Sequence, residues 1–157
     1  MRRLPAHLTA YRIGDPAGRF PVYSADGALR VGGRWHERGD RVIYAAEHYS
    51  TAMLESLANL GPETPPNQHY IEITIPAGVS YEIASADHLP GWYRSAATSS
   101  KVFGHGWYAE RRSAVLFVPS VVARLERNVV INATHDDFPR IKPGLETPVW
   151  WDERLFA

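Results

Sequence analysis

Three isoleucines in the segment HYIEITIP (69–76) constrain the fold of this chain more than any other feature. Ile71, Ile73 and Ile75 alternate with polar residues, and a period of two is typical of a strand with one buried face. Further short apolar or β-branched runs before and after it also favour strands. The predicted additional strands are HLTAYRI (7–13), RVIYAA (41–46), VSYEI (79–83), AVLFVPS (114–120), NVVIN (128–132) and an edge strand in TPVWWDERLF (147–156).

Two segments favour helices. The first starts near Glu47, and its apolar residues recur every three or four positions until Gly61-Pro62 ends it. The second runs from Trp92 to Arg112 and is predicted to be mostly helical, although its two glycines weaken a helix. The apolar stripe of the first helix consists of Tyr49, Met53, Leu57 and Leu60. Because strands and helices do not alternate regularly, we expect an α+β fold, with residues 1–157 forming one domain.

The charge balance and composition exclude several classes of protein. Seventeen basic residues balance seventeen acidic ones, so no general positive field attracts nucleic acid or an anionic membrane. The chain has no cysteine, which excludes disulfides and a thiolate nucleophile and is typical of cytoplasmic proteins. The opening MRRLPAHLTAYRI lacks the apolar run of a signal peptide. We therefore expect a soluble cytoplasmic protein that binds neither nucleic acid nor membrane.

Common catalytic motifs are also missing. The sequence has no P-loop, no G-x-G-x-x-G between a strand and a helix, and no G-x-S-x-G elbow. Its seven histidines form no H-E-x-x-H motif. The run HDD (135–137) is predicted to be a solvated turn rather than a metal site, and no metal is expected.

The stretch from Val31 to Leu57 brings an arginine, a tyrosine and a glutamate into a turn, a strand and a helix. Arg34 follows two glycines at the end of a long loop, 16–34, and Tyr44 lies within a predicted strand. Glu55 falls on the helix face away from the apolar stripe. Singly, each has an ordinary interpretation: a surface arginine, a core tyrosine and a solvated glutamate. Alternatively, the second face of the helix borders a cleft against the strand that carries Tyr44.

Together and in this order, these residues resemble the RES-domain family, whose members are chiefly the toxins of bacterial Xre–RES toxin–antitoxin pairs. The resemblance runs from about residue 11 to residue 155. The family's usual asparagine after GGRW is His36 here, and its usual NP-x-HPD is NATHDD. The motifs that carry the resemblance are GGRWH with Arg34, VIYAAE with Tyr44, TAMLESL with Glu55, VPSVV with Ser120, and NVVIN with Asn132.

The resemblance implies a fold similar to ADP-ribosyltransferases, with antiparallel sheets forming a cleft for NAD, which is consumed. The implied reaction breaks the nicotinamide–ribose bond and transfers ADP-ribose to a cellular protein. A NAD glycohydrolase or phosphorylase, and an inactive binding module, are the alternatives. The resemblance also implies a partner, an Xre-type antitoxin that blocks the cleft.

The same resemblance implies roles for individual residues. Glu55 would stabilise the oxocarbenium-like ribose, Tyr44 would stack on nicotinamide, and Arg34 would hold the pyrophosphate or the ribose. Ser120 would hydrogen-bond the nucleotide or orient Glu55. Asn132 is a further cofactor-binding candidate, with a structural turn as its alternative role.

Overall fold

The computed structural model describes residues 2–15, 18, 20–60 and 67–156. Within this part of the chain, nine strands belong to one sheet. The strands are β1 Arg2–Arg3, β2 Leu8–Gly14, β3 Val42–Ala46, β4 His69–Ile75, β5 Ser80–Ile83, β6 Val115–Pro119, β7 Arg127–Asn132, β8 Lys142–Pro143 and β9 Thr147–Pro148. Their order is β1-β5-β6-β7-β3-β2-β4-β8, with β9 also paired to β4. Only β5 and β6 run parallel; the other pairs in this described sheet are antiparallel.

Three α-helices occur among the described residues. They are α1 Asp26–Arg30, α2 Tyr49–Leu60 and α3 Thr98–Ala109. Short 3-10 helices span Ala86–His88, Phe138–Arg140 and Glu153–Leu155. None of the described helices has the length and apolarity to cross a membrane. The predicted α+β class and the single domain are confirmed.

The core lies on both faces of the central strands. Val115, Leu116 and Val130 in β6 and β7 are fully buried, as the continuous apolar runs predict. On β4, the alternating isoleucines are buried, whereas Glu72 and Thr74 are exposed. One apolar cluster contains the β4 isoleucines, and the other, on the opposite side of the sheet, contains Trp35, Trp92 and Trp107.

Three predicted elements differ from the structure. The predicted loop 16–34 contains the short helix α1. The helix predicted from Trp92 begins only at Thr98, because Ala97 has a left-handed φ of 45°, a conformation that a right-handed helix cannot contain. The edge strand predicted for 147–156 stops at Pro148, since proline donates no ladder hydrogen bond. The helix stop predicted at Gly61-Pro62 lies outside the described residues.

The sheet splits between β2 and β3. These strands pair only at Tyr11 and Ala46 within the described chain. By contrast, β2 pairs with β4 through seven residues, and β3 with β7 through five. Helix α2 packs across both β2 and β3. The split therefore opens a space beneath α2 in the middle of the sheet.

Candidate active site

A cleft of about 590 Å³ lies where β2 and β3 separate. Pockets that hold small molecules or cofactors have volumes of about 300–1,000 Å³. Its walls come from β2, the turn at 33–35, β3, α2, and the β6–β7 connection together with Asn128. The cleft is large enough for a nucleotide-sized ligand.

The structure brings most of the sequence-predicted residues to this cleft. Arg34, Tyr44 and Glu55 line it directly. Ser120 is fully buried at the end of β6 and contacts Glu55. Asn132, by contrast, does not line the cleft. The expected grouping thus covers four of the five residues, and the fifth is placed elsewhere.

The carboxylate of Glu55 is held by one of its two oxygens. The Ser120 hydroxyl donates to Oε1 at 2.8 Å, and the Asn128 amide donates to the same oxygen at 2.7 Å. Ser120 Oγ in turn accepts a hydrogen bond from the backbone N–H of Ala123 at 3.1 Å. No described residue hydrogen-bonds Oε2. Glu55 is half-buried, so its second oxygen is available to a ligand in the cleft.

Helix α2 presents Glu55 to the cleft because its most buried face is not its apolar stripe. Thr51 and Ala52 are buried, whereas Met53 and Leu57 are only half-buried. A short side chain such as Ala52 lets the helix lie close to the sheet. Glu55, one turn further along, therefore reaches the cleft, which agrees with the interpretation in which the second helix face borders a cleft against Tyr44.

Tyr44 lines the cleft, and its hydroxyl hydrogen-bonds to the turn that carries Arg34. His36 Nε2 donates to the carbonyl of Val31 at 2.9 Å. In the neutral imidazole Nδ1 then accepts, and the Tyr44 hydroxyl donates to it at 2.7 Å. The same hydroxyl accepts from the backbone N–H of Trp35 at 3.2 Å. Burial raises the pKa of Tyr44 well above its ordinary value, so the phenol stays protonated and can donate.

The turn that carries Arg34 depends on Gly33. A Cβ at Gly33 would lie 2.7 Å from the His36 ring and 2.9 Å from the Tyr44 hydroxyl. The glycine therefore allows the close approach of these side chains, rather than that of a ligand. Arg34 Nη1 donates to the carbonyls of Trp92 at 2.6 Å and Arg94 at 2.8 Å. The guanidinium thus joins two loops at the wall of the cleft.

Arg12 is a cation in the cleft that sequence reasoning missed. Its Nε donates to the carbonyl of Val22 at 2.6 Å, and its Nη1 donates to the carbonyl of Tyr44 at 2.8 Å. The second bond spans the split between β2 and β3. Burial lowers the pKa of Arg12, although an arginine remains charged at neutral pH. Since no carboxylate among the described residues forms an ion pair with it, a desolvated positive charge lines the cleft.

Asn132 organises the turn that follows β7. Its Oδ1 accepts from the backbone N–H of Thr134 at 2.9 Å and from the Thr134 hydroxyl at 2.7 Å. Its Nδ2 donates to the carbonyl of Tyr108 at 3.3 Å. These bonds correspond to the structural turn, the alternative role named for this residue. In the same turn, the Asp136 side chain is 93% exposed, and the described residues contain no cluster of three or more potential metal ligands.

Arg12 left a signal in the sequence, whereas Asn128 did not. Arg12 shares a strand face with the buried Ala10, and an arginine at an inward position is unusual enough to mark a site. Asn128 had no such signal, because an asparagine at the start of a strand is common near turns. Its role depends on a contact with Glu55, 73 residues earlier in the chain.

Comparison with known proteins identifies the family. The model of the RES domain matches residues 9–152. This chain belongs to the RES-domain family. The family predicted from the sequence is therefore confirmed, and the match covers nearly all of the sheet and the whole lining of the cleft.

Several curated relatives of this RES-domain protein are toxins. The "Prs ADP-ribosylating toxin" of Sphingobium sp. (strain YBL2) is 39% identical over 152 residues, covering 92% of this chain and 94% of the relative. "Toxin Res" of Photorhabdus laumondii is 33% identical, covering 83% and 85%. "Toxin Res" of Pseudomonas putida is 34% identical, covering 85% and 92%.

A solved structure shares the fold. The match is to a chain in the crystal structure of the M. tuberculosis MbcT–MbcA toxin–antitoxin complex, with a TM-score of 0.71 and 17% sequence identity. It covers 94% of this chain and 86% of that chain. At this identity, the similarity establishes the arrangement of the sheet and helices.

Proposed function

We propose that this RES-domain protein is the toxin of a toxin–antitoxin pair and that it consumes NAD. In the proposed reaction, ADP-ribose is transferred to a cellular protein. The observation that carries the proposal is the Glu55 carboxylate in the cleft, with Oε1 held by two neutral donors and Oε2 left for a substrate. The name of the Sphingobium relative, an ADP-ribosylating toxin, supports the transfer reaction.

Cleavage of the nicotinamide–ribose bond needs a negative charge near the ribose rather than a proton donor. The nicotinamide ring of NAD is cationic, so it leaves as a neutral molecule with the electron pair of the broken bond and needs no proton. Positive charge then develops on the ribose, as in glycoside cleavage. Glu55 Oε2 would accept a hydrogen bond from a ribose hydroxyl, which would place the negative charge of the carboxylate beside the developing cation. The acceptor would bond to the same ribose carbon and lose its proton.

The remaining groups of the cleft match the other parts of NAD. The Tyr44 ring, fixed at its hydroxyl end, would stack on nicotinamide. Arg12 and Arg34 would face the diphosphate, and Arg12 has no competing carboxylate in the described chain. Ser120 would act through Glu55, the contact that it makes in the structure. Two local arginines can bind an anion even though the whole chain has no net charge.

The identity of the acceptor decides the type of enzyme. A protein side chain as acceptor makes the chain an ADP-ribosyltransferase. Water would make it a NAD glycohydrolase, and inorganic phosphate would make it a NAD phosphorylase. The three reactions release the same nicotinamide but give different second products: modified protein, free ADP-ribose, or ADP-ribose 1″-phosphate.

A product assay tests the proposal. Purified protein is incubated with NAD, with and without cell lysate and with and without phosphate, and nicotinamide and ADP-ribose products are measured by chromatography and mass spectrometry. We expect nicotinamide release by the wild type and a loss of about a hundredfold or more in Glu55→Gln. Glu72→Gln, which changes an exposed glutamate on β4, should be as active as the wild type.

Three outcomes would contradict the proposal in whole or in part. A wild-type protein that binds NAD in calorimetry but releases no nicotinamide under any acceptor condition is a binding module. Full activity of Glu55→Gln would remove Glu55 from the mechanism. Nicotinamide release without any modified protein would replace transfer by hydrolysis or phosphorolysis, according to the product found.

The proposal includes a cognate antitoxin of the Xre type that covers the cleft. Support comes from the M. tuberculosis structural neighbour, which was solved as a toxin–antitoxin complex. The same variants test this in cells. Expression of the wild type should arrest growth, Glu55→Gln should not, and co-expression of the protein encoded beside this chain should restore growth. Continued arrest in the presence of that protein would reject it as the antitoxin.

A further inference from the structure

We infer that Asn128 is a positioning residue that aims the Glu55 carboxylate at the substrate, an inference that rests on the proposed function. Its Nδ2 donates to Glu55 Oε1 at 2.7 Å, a short distance for a hydrogen bond from an amide. Asn128 also lines the cleft. It therefore stands beside the proposed reaction site and acts on the group that would stabilise the transition state.

The backbone of Asn128 is rigidly placed. β7 lies between β3 and β6, and Asn128 is paired with Ala46 on one side and with Val118 on the other. A side chain on a doubly paired strand is held more accurately than one on a loop. Glu55 comes from α2, so the hydrogen bond fixes the helix side chain relative to the sheet.

The amide oxygen of Asn128 shows that the amide is oriented by its contact with Glu55. Its Oδ1 is buried and has no hydrogen-bond partner among the described residues. A buried acceptor without a partner costs free energy, so such a group calls for an explanation. The opposite orientation of the amide would place its oxygen against the carboxylate oxygen. The contact with Glu55 therefore determines which way the amide points.

The two hydrogen bonds to Glu55 Oε1 bring no positive charge to the carboxylate. Ser120 and Asn128 are both neutral donors, and both bind the same oxygen. A lysine or arginine at either position would neutralise the carboxylate that the oxocarbenium-like ribose requires. Because two hydrogen bonds fix Oε1, the direction in which Oε2 can accept a hydrogen bond from a ribose hydroxyl is also fixed. Fixed orientation of this kind lowers the barrier because it need not be achieved during the reaction.

Two substitutions at this position separate positioning from folding. Asn128→Ala removes the donor, and we expect kcat for nicotinamide release to fall roughly 10- to 100-fold, with a much smaller change in KM for NAD. Asn128→Asp keeps the shape but places a second carboxylate against Glu55. Because two adjacent carboxylates share a proton, we expect the acid limb of the pH–rate profile to move upward by about one pH unit or more. Thermal unfolding and circular dichroism of each variant would test whether it is folded.

Asn59→Asp is the matched control. Asn59 lies one turn after Glu55 on α2 and lines the same cleft, but it makes no hydrogen bond to Glu55 in the described chain. Its substitution adds the same charge without touching Oε1. The other ionisable side chains of the cleft, Tyr11, Arg12, Arg34 and Tyr44, are unchanged in both variants. We expect a clearly smaller movement of the acid limb in Asn59→Asp than in Asn128→Asp.

The outcomes distinguish this inference from the proposed function. An active wild type whose acid limb stays in place in Asn128→Asp overturns the positioning role and leaves the proposed function standing. Equal movement in Asn59→Asp and Asn128→Asp also overturns it, since a general field would then explain the effect. A wild type that releases no nicotinamide overturns the proposed function and this inference with it.

Discussion

Tyr44 combines two roles at opposite ends of one side chain. The residue lines the cleft, while its hydroxyl donates to His36 Nδ1 and accepts from the N–H of Trp35. His36 is itself buried and is anchored by its second nitrogen to Val31. The histidine at this position thus connects the turn carrying Arg34 to the strand carrying Tyr44.

Tyrosine-to-phenylalanine substitution should separate these two roles. Tyr44→Phe keeps the ring but leaves buried polar groups of Trp35 and His36 without their partner, so we expect the free energy of unfolding to fall by about 1–3 kcal/mol. Nicotinamide release should stay within about tenfold of wild type, whereas Tyr44→Ala should lose about a hundredfold because the ring is gone. Urea denaturation and the NAD assay measure the two effects.

Tyr81→Phe is the matched control for stability. The Tyr81 ring packs edge-on against Phe117, and its hydroxyl makes no hydrogen bond within the described residues. Its stability should therefore change by less than about 0.5 kcal/mol. If Tyr44→Phe is as stable as the wild type, the hydroxyl network does not hold the turn in place. If it is as inactive as Tyr44→Ala, the hydroxyl itself takes part in the reaction.

Helix α3 packs against the backbone beside the candidate site at one glycine, Gly104. A Cβ at Gly104 would overlap the carbonyl oxygen of Trp35, the residue that follows Arg34. At Gly106, two residues along the same helix, the nearest atom to a Cβ would be Arg112 Nη1 at 3.9 Å. The two glycines lie in the same helix but in opposite packing environments.

Alanine substitutions at these glycines should therefore change the free energy of unfolding in opposite directions. Gly104→Ala must push α3 away from the Trp35 backbone, and we expect it to destabilise the protein by about 3 kcal/mol. Gly106→Ala should stabilise it by up to about 1 kcal/mol, since alanine favours a helix over glycine. Urea denaturation of both variants measures the difference. Equal effects would show that helix propensity alone decides at both positions.

These glycines also show where sequence patterns stop being informative. Both weaken a predicted helix to the same degree, and the sequence gives no reason why only one is needed. The helix itself, like α2 and the strands, follows from periodicities that depend on neighbouring residues. The contact of Gly104 with Trp35 joins residues far apart in the chain, and periodicity contains no information about such pairs.

The same limit applies to the sheet and the cleft at the scale of the whole molecule. The strands β2 to β7 were predictable, but their order and the split between β2 and β3 depend on long-range pairing. Arg34, Tyr44 and Glu55 could be predicted because a family resemblance grouped them. Arg12 and Asn128 complete the cleft through tertiary contacts. The inward strand position of Arg12 is a signal in the sequence, whereas Asn128 looks ordinary there.

Asp137 connects the turn after β7 to the far side of the sheet. Its carboxylate accepts from the backbone N–H of Ser80 in β5 at 3.0 Å, and Arg3 of β1 lies 3.9 Å away. Burial alone would raise the pKa of Asp137, but the hydrogen bonds with Ser80 and the nearby charges of His135 and Arg3 lower it below its ordinary value. The ionised carboxylate is therefore favoured in the folded protein.

This shift makes part of the protein's stability dependent on pH. A carboxylate with a lowered folded-state pKa contributes stability above its unfolded pKa of about 3.9, and the contribution is lost as pH falls through the folded-state value. We expect Asp137→Asn to lower the free energy of unfolding by about 1 kcal/mol at pH 7, with the difference from wild type disappearing toward pH 2. Asp136→Asn, which removes an exposed ion pair with Arg111, should cost less at pH 7. Urea denaturation at pH 7, 5 and 3 compares the two variants. If the loss of unfolding free energy in Asp137→Asn is unchanged at pH 3, the shape of the side chain and not its charge holds the turn to the sheet.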